Sequence, residues 1–459
     1  MHKGSHILGN EKIGKLLIKL SLPAMVGMLV QATYNLVDTI FVGQGVGMNA
    51  IGGIAIVFPI QVIIMAIGIG LGIGGSSLIS RALGAKNKEL ASKTLGNMVG
   101  ASLAIGILFT IISFLFFDNI LDIFGAKTET LMTYAKEYFS VILWGIPLIS
   151  FSVTTNNAVR AEGNANVAMG TMLVGALLNI ILDPIFIFGL NMGVKGAALA
   201  TLISQLATSV YLFAYLQGGK SELHLRMENL FPRMAVMKEI VKVGGASFVR
   251  QIAGSIMVAI LNNALVYYGG EIGVTFFGIA FRLISFMMMP IFGIYQGFQP
   301  IAGYNYGAKQ HSRVKESLKL AILWASVISV VGSALLMIFP GQIMSIFGGN
   351  KEELAPLLEM GIPALRIIVM LMPLVGFQIV SASLFQALGK ALPAMILTLS
   401  RQVIFIIPLI LILPRIFGIN GVWIAFPISN LLSAVITLIY LIVEIKLLNK
   451  CDLEEFHCK

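Results

Sequence analysis

The sequence predicts an all-α integral membrane protein of about twelve transmembrane helices in two pseudo-symmetric six-helix lobes, and three observations carry that prediction. Hydrophobic residues fill 57% of the 459 positions and charged residues 11%, with a mean hydropathy of +0.92, whereas soluble domains carry about 25% charged residues. Apolar stretches of about 20 residues or more recur along the chain, each long enough to cross a hydrocarbon core of about 30 Å. The second half repeats landmarks of the first.

Taken in order, the spans are expected near 18 to 42, 51 to 78, 94 to 117, 133 to 157, 166 to 190, 194 to 217, 239 to 268, 273 to 301, 317 to 340, 356 to 385, 393 to 415 and 418 to 446. Backbone polar groups in lipid must be satisfied within each segment, which selects helices over open sheets. The alternating segments of about ten residues that a β-barrel needs are not seen. Basic residues gather in alternate connections: Lys3, Lys12, Lys15 and Lys19, then Arg81 to Lys93, Arg160, Lys220 to Lys242, Lys309 to Lys319, Lys390, and the tail from Lys446 to Lys459. The intervening connections carry few, among them Lys127, Lys195, Lys351 and Arg415. That asymmetry predicts both termini on the cytoplasmic side. It also accounts for the net charge of +10 without nucleic acid as a partner.

The repeat is read from three matches in the same order. RALGAKNKELASKTL aligns with YNYGAKQHSRVKESL, placing Gly84 on Gly307, 223 residues on. RAEGNANVAM aligns with QALGKALPAM, placing Gly163 on Gly389 at 226, and GVKGAALATLISQ with GINGVWIAFPISN at 225. Six spans per repeat give parallel lobes related by an axis along the membrane normal. The expected organisation is an N-lobe over 1–217, a cytoplasmic linker over 218–237 and a C-lobe over 238–459. Two facing lobes leave a central cavity.

Several motifs resolve to packing or to nothing. Gly70, Gly72 and Gly75 form a GxGxxG pattern, but no strand precedes it; small residues at helical spacing let helices approach closely in lipid. Gly219, Lys220 and Ser221 resemble the end of a phosphate-binding loop whose first glycine is Ala214, so no ATP site is expected. HExxH, GxSxG and DDxxD patterns are absent, which argues against an enzyme. The five histidines, His2, His6, His224, His311 and His457, lie in tails or loops. Cys451 and Cys458 lie in the C-terminal tail without metal or redox spacing.

The residues that carry chemistry are Asp38 and Asp183, which stand deep in the apolar segments YNLVDTIFVG and LLNIILDPIFIFG. A carboxylate there is costly unless it is paired, protonated or hydrated, so it marks a functional site. Both lie roughly 25 to 29 Å from the inner end of their segments at about 1.5 Å per residue. Asn179 and Asp183, four residues apart, share a face, as do Tyr34, Asn35 and Asp38; Thr201 enters at a comparable level. This oxygen-rich set suits a Na⁺ ion, or a proton held by a carboxyl whose neighbour repels its charge. Pro23 and Pro184 interrupt the same two helices and are the expected bend points. Tyr34, Asn35, Met287 and Met288 are candidates for the substrate cavity, the methionines because a flexible wall accepts many shapes. Arg250, Arg282, Arg366 and Arg401 are read as interface or bracing residues before substrate contacts.

The set LSLPAMVGMLVQATYNLVDTIFVGQGVGMNAIGGIA, NNAVRAEGNANVAM, LLNIILDPIFIFG, GVKGAALAT and GFQPIAGYNYGAK resembles the multidrug and toxic compound extrusion (MATE) family, on its DinF-like, MepA-like branch. The resemblance covers nearly the whole chain. It implies an inner-membrane antiporter that exports drugs and toxic, often cationic amphiphilic compounds in exchange for H⁺ or Na⁺, with no other cofactor. It also implies that the cation site falls on Asp38, Asn179, Asp183 and Thr201 and the helix bend on Pro23. Acids found in the C-lobe of NorM-like members are missing from GGASFVRQIAGS, which offers Arg250 and Gln251. The rival reading within the wider superfamily is a lipid-linked oligosaccharide flippase.

Overall fold

The computed structural model describes residues 5–345 and 351–457. His2, Lys3, Cys458 and Lys459, assigned above to the tails, lie outside them, as does the side chain of Cys451. The described residues form helices and connections, with no strand among them.

The N-terminal half runs α1 (His6–Asn10), α2 (Ile13–Gly45), α3 (Met48–Gly84), α4 (Lys88–Leu115), α5 (Phe117–Ile123), α6 (Glu129–Ala161), α7 (Ala165–Pro184) and α8 (Gly193–Gln217). Side chains of Asn87, Thr128 and Asn164 accept hydrogen bonds from backbone N–H groups three residues on and so start α4, α6 and α7. The second half contains α9 (Met234–Gly307), α10 (His311–Ile338), α11 (Pro340–Ser345), α12 (Lys351–Val369), α13 (Pro373–Ala387), α14 (Ala391–Leu399), α15 (Ile406–Ile412), α16 (Pro414–Phe417) and α17 (Ile419–His457).

α9 is continuous in hydrogen bonding but not in direction. Gly270 at its middle has φ 60° and ψ −158°, a conformation open to glycine alone at low cost. Its 74 residues therefore make two crossings. α12 and the Pro373-initiated α13 form one broken span bent by 44°. α14 to α16 form a single span that runs through a π-helical turn over Ser400–Phe405. With the bent pair joined and α9 taken as two, the described residues supply twelve spans long and apolar enough to cross a membrane, six in each half. The expected spans are recovered, except that 356 to 385 is broken rather than straight and 393 to 415 contains a π turn.

The halves share backbone detail as well as helix count. Lys86 and Lys309 take φ of 60° and 58°, Gly163 and Gly389 φ of 90° and 76°, and Gly193 and Gly418 both φ of 57°. Each pair falls where the sequence repeat aligns, so the same tight connection is built twice.

The lobes meet along α3, α9 and the first half of α2. Gly70 and Gly74 lie directly against the backbone of Ile240 and Gly244, Gly84 against Tyr304, and Gly307 against Arg81. The glycines of the second span thus serve close packing, here between lobes. Hydrogen bonds seal the same end: Asn305 Nδ2 to the Leu8 carbonyl at 2.9 Å, Arg313 Nη2 to the Glu11 carbonyl at 2.7 Å, and Arg81 Nη2 to Glu239 Oε1 at 2.8 Å. α2 crosses the seam, with Gly293 against Met25 and Gly297 against Ser21, on either side of the buried Pro23. Further along α2, Asn35, Leu36 and Ile40 are exposed. The seam is therefore closed at the basic end.

Candidate functional site

The second half of α2 packs on α7 and the π-helical turn that continues it, Ile185–Gly189. Gly45 admits Ile187 and Phe188, and Phe41 meets Phe188 edge to face with centroids 6.2 Å apart. Pro184 has no N–H to offer the helix, and the backbone widens into the π turn directly after Asp183. This local break sets the Asp183 carboxyl towards α2.

There it faces Asp38 within hydrogen-bonding reach. Asp183 is 0% exposed, Asn179 1% and Thr201 8%. With its amide oriented to satisfy its neighbours, Asn179 donates to Asp183 Oδ2 at 2.8 Å and accepts from the Thr201 backbone N–H at 3.2 Å and from Thr201 Oγ1 at 3.3 Å. The Tyr34 hydroxyl reaches Thr201 from α2. Asp38 Oδ1 and Asp183 Oδ1 are both buried with no hydrogen-bond partner, an arrangement that demands a cation or a shared proton. The four residues Asp38, Asn179, Asp183 and Thr201, spaced along three helices, come together as one oxygen-rich cluster. Those residues fit either ion: the two orphaned carboxylate oxygens and the Thr201 hydroxyl oxygen suit Na⁺, and two carboxyls in contact suit one proton between them.

Two further residues belong to this neighbourhood. Tyr138 of α6, buried, lies close enough to Asp38, Asp183 and Tyr34 for their charges to bear on it, and its hydroxyl hydrogen-bonds Gln61 of α3. Sequence reasoning passed over both. The available signal was Gln61, the lone amide in the apolar run FPIQVIIMAIG.

The other predicted residues separate. Asn35 is exposed. Met287 packs on Gly332 of α10 and Met288 is buried in the C-lobe core. Of the four arginines, Arg282 is exposed and Arg366 braces the Met337 carbonyl at 3.2 Å, as expected. Arg250 and Arg401 instead line a C-lobe cavity.

At the sealed end, the turn between α6 and α7 carries a buried carboxyl that the sequence did not flag. Glu162, 5% exposed, accepts from Tyr215 Oη at 2.5 Å, Ser221 Oγ at 2.8 Å and the Glu222 N–H at 3.0 Å. Burial pushes its pKa up to about 7 against the lowering effect of these donors. Glu222 in turn accepts from Ser5 Oγ at 3.0 Å and pairs with Lys88 at 3.3 Å, which ties the N-terminal segment to the linker.

Comparison with known proteins agrees with this architecture. The chain is 29% identical over 412 residues to the multidrug export protein MepA of Staphylococcus haemolyticus (strain JCSC1435), covering 90% of this chain and 89% of that protein. It is likewise 29% identical over 408 residues to the MepA of Staphylococcus aureus (strain MSSA476), covering 89% of each. A crystal structure of MATE in complex with MaL6 superposes with a TM-score of 0.91 at 32% identity, over 98% of this chain and 100% of that one. An outward-facing multidrug resistance MATE family transporter of the MOP superfamily gives 0.90 at 32% identity, over 98% and 99%. The MatE family model matches residues 23–185 and again 246–412, one match in each half of the repeat. With two matches that span most of a twelve-crossing duplicated bundle, the chain belongs to the MatE family.

Proposed function

We propose that this protein is a secondary active multidrug exporter that drives cationic or amphiphilic compounds out of the cell against inward movement of H⁺ or Na⁺, without ATP. The similarity to multidrug export proteins supports the drug class. The observation that carries the coupling is the Asp38–Asp183 pair on two helices, one of which, α2, also forms the seam with the C-lobe through Ser21 and Met25.

In this account the lobes are residues 1–217 and 238–459, joined by a cytoplasmic linker over 218–237, and both termini face the cytoplasm of an inner-membrane protein. The sealed basic end is then the cytoplasmic one, and a cation enters from outside. Two carboxylates about 4 Å apart repel by roughly 4 kcal/mol at an effective dielectric constant of 20. Uptake of one cation relieves that repulsion. A bias of this size shifts a two-state equilibrium by roughly a factor of 10³, short of the roughly 5.5 kcal/mol that a full reversal from 1:99 to 99:1 requires. Substrate release supplies the remainder.

The geometry also gives the coupling a route. Pro23 leaves the Lys19 carbonyl without a helical donor, so α2 bends there at low cost. A change of bend at Pro23 moves Ser21 and Met25 relative to Gly297 and Gly293, and with them the inter-lobe seam. Pro184 and the π turn after Asp183 let the α7 end follow.

The test is ethidium efflux from purified protein in liposomes with H⁺ and Na⁺ gradients imposed separately. Gradient-driven export by the wild type, lost in Asp183→Asn, is the expected result and identifies the ion. Wild-type efflux from the variant overturns the site, and absence of gradient-driven transport moves the assignment to a lipid-linked flippase.

A further inference from the structure

We propose that the C-lobe holds a second site, of opposite charge to the N-lobe cluster, that binds the anionic head of an amphiphilic organic molecule. It is a partly open cavity of about 90 Å³ bounded by α9, α13, α14 and the π turn over Ser400–Phe405, room for the head of a ligand whose body extends outside it. Arg250 projects into it from α9 and Arg401 from the π turn, and the two are close enough for the charge of one to bear on the other. No carboxylate lines the cavity. Among the described residues neither guanidinium has a hydrogen-bond or ion-pair partner in the protein. A third arginine, Arg160 of α6, approaches Tyr295 at the cavity wall, and its one hydrogen bond is to Met172 Sδ at 3.4 Å.

Guanidinium groups keep their charge in proteins. Two of them converging within membrane depth, unpaired, is a costly arrangement that a structural role does not require: a bracing arginine finds a carbonyl, as Arg366 does. The planar fork matches carboxylate, phosphate and sulfate groups. The neutral polar groups around it are also left waiting. Thr398 Oγ1, Gln378 Oε1 and Gln402 Oε1 line the cavity, buried and without hydrogen-bond partners. Gln378, only 6% exposed, is pinned by its Nε2 donating to the Asn430 carbonyl at 2.7 Å, which leaves its oxygen free. A ligand that presents an acidic group to the arginines and hydroxyls to the two amide oxygens satisfies the set. Phe292, Ile379 and Leu397 supply the apolar wall for its body.

The same chemistry is offered by a free organic anion and by an anionic lipid headgroup, and binding distinguishes them. Labelled taurocholate, an anionic hydroxylated amphiphile, is titrated onto the protein in phosphatidylcholine nanodiscs, with no ion gradient. The expected result is saturable binding that weakens about tenfold or more in Arg250→Gln and in Arg401→Gln, as loss of a charge-assisted pair implies, and is largely kept in Arg401→Lys. Thr398→Val, which leaves the charges in place, is expected to weaken it less; it serves as the second probe if a glutamine variant melts early. Phosphatidic acid added to the nanodisc then competes with taurocholate if the site takes a lipid headgroup, and leaves it bound if the site takes a free anion. Either outcome supports the proposal. It is overturned if taurocholate and labelled phosphatidic acid both fail to bind the wild type, or if they bind the folded glutamine variants equally well. Because the readout is equilibrium binding, failure here leaves the antiport reading standing, and failure of gradient-driven efflux leaves this site standing.

Discussion

Asp38 on α2 and Asp183 on α7 face each other within hydrogen-bonding reach, each with one buried oxygen that has no hydrogen-bond partner. Asn179 fills one side of the contact and links it to Thr201 on α8. The pair therefore senses the spacing of three helices, and whatever neutralises it favours the arrangement in which they are close.

Asn179 should matter as much to this pair as its charge-free side chain allows. Asn179→Leu removes the bond to Asp183 and leaves Thr201 Oγ1 without that acceptor, at a cost of about 1 to 3 kcal/mol. We expect the apparent affinity for the coupling ion to fall by about tenfold while the protein remains folded, measured as the ion concentration for half-maximal efflux from liposomes. An unchanged ion dependence would remove Asn179 from the site.

The inter-lobe seam offers a test of closure. A Cβ at Gly244 would run into the backbone of Gly70, and backbone cannot step aside as a flexible side chain can. Gly244→Val should hold the lobes apart at the basic end. In a background lacking Cys451 and Cys458, a cysteine placed at Ser77, which now donates to the Gln386 carbonyl at 2.5 Å, should become reactive to a water-soluble maleimide in this variant. Continued protection would show that the seam tolerates the added methyls.

Much of this architecture is legible from sequence. The three repeat matches located Gly163 and Gly389, Lys86 and Lys309, and Gly193 and Gly418, which share left-handed backbone, because a tight connection built twice needs the same residue types twice. The carboxylates were legible because charge in an apolar run is costly whatever the fold. Tyr138 and Gln61 were not, since tyrosine and glutamine are tolerated at many depths and only packing of α3 and α6 brings them to Asp38. That Arg250 and Arg401 line one cavity was not legible for a similar reason: the direction of an arginine depends on local helix geometry, and the π turn at Ser400–Phe405 leaves no hydropathy signature. Met287 and Met288 carried no positional signal at all.

Glu162 should give the protein an acid-favoured stability component. Its pKa rises from 4.5 in the unfolded chain to about 7 in the fold, so between these values the folded state binds the extra proton. Stability is then highest below about pH 4.5 and falls as pH rises towards 7, by roughly 3 kcal/mol at most. Melting temperatures across this range should decline for the wild type, and Glu162→Gln, which stays neutral, should flatten the profile. An unaltered slope in the variant would assign the pH dependence to other groups.

In the C-lobe, Glu444 is 3% exposed and receives Lys390 Nζ at 2.6 and 2.7 Å. Lys390→Met leaves that carboxylate buried and unpaired, and should destabilise by about 3 to 5 kcal/mol, whereas adding Glu444→Leu should recover much of the loss. Urea or thermal unfolding of the single and double variants in detergent checks this, and additive losses would show that the two residues do not act as a pair.

The central claim is that drug and cation compete through the Asp38–Asp183 pair, and it is tested most directly by ion release from the purified protein. Ethidium is added to weakly buffered protein in detergent while proton and Na⁺ electrodes record the solution. The account predicts that ethidium binding expels H⁺ or Na⁺ from the wild type and expels neither from Asp38→Asn or Asp183→Asn. Ethidium binding to the wild type with no release of either ion, or equal release from the variants, would contradict it.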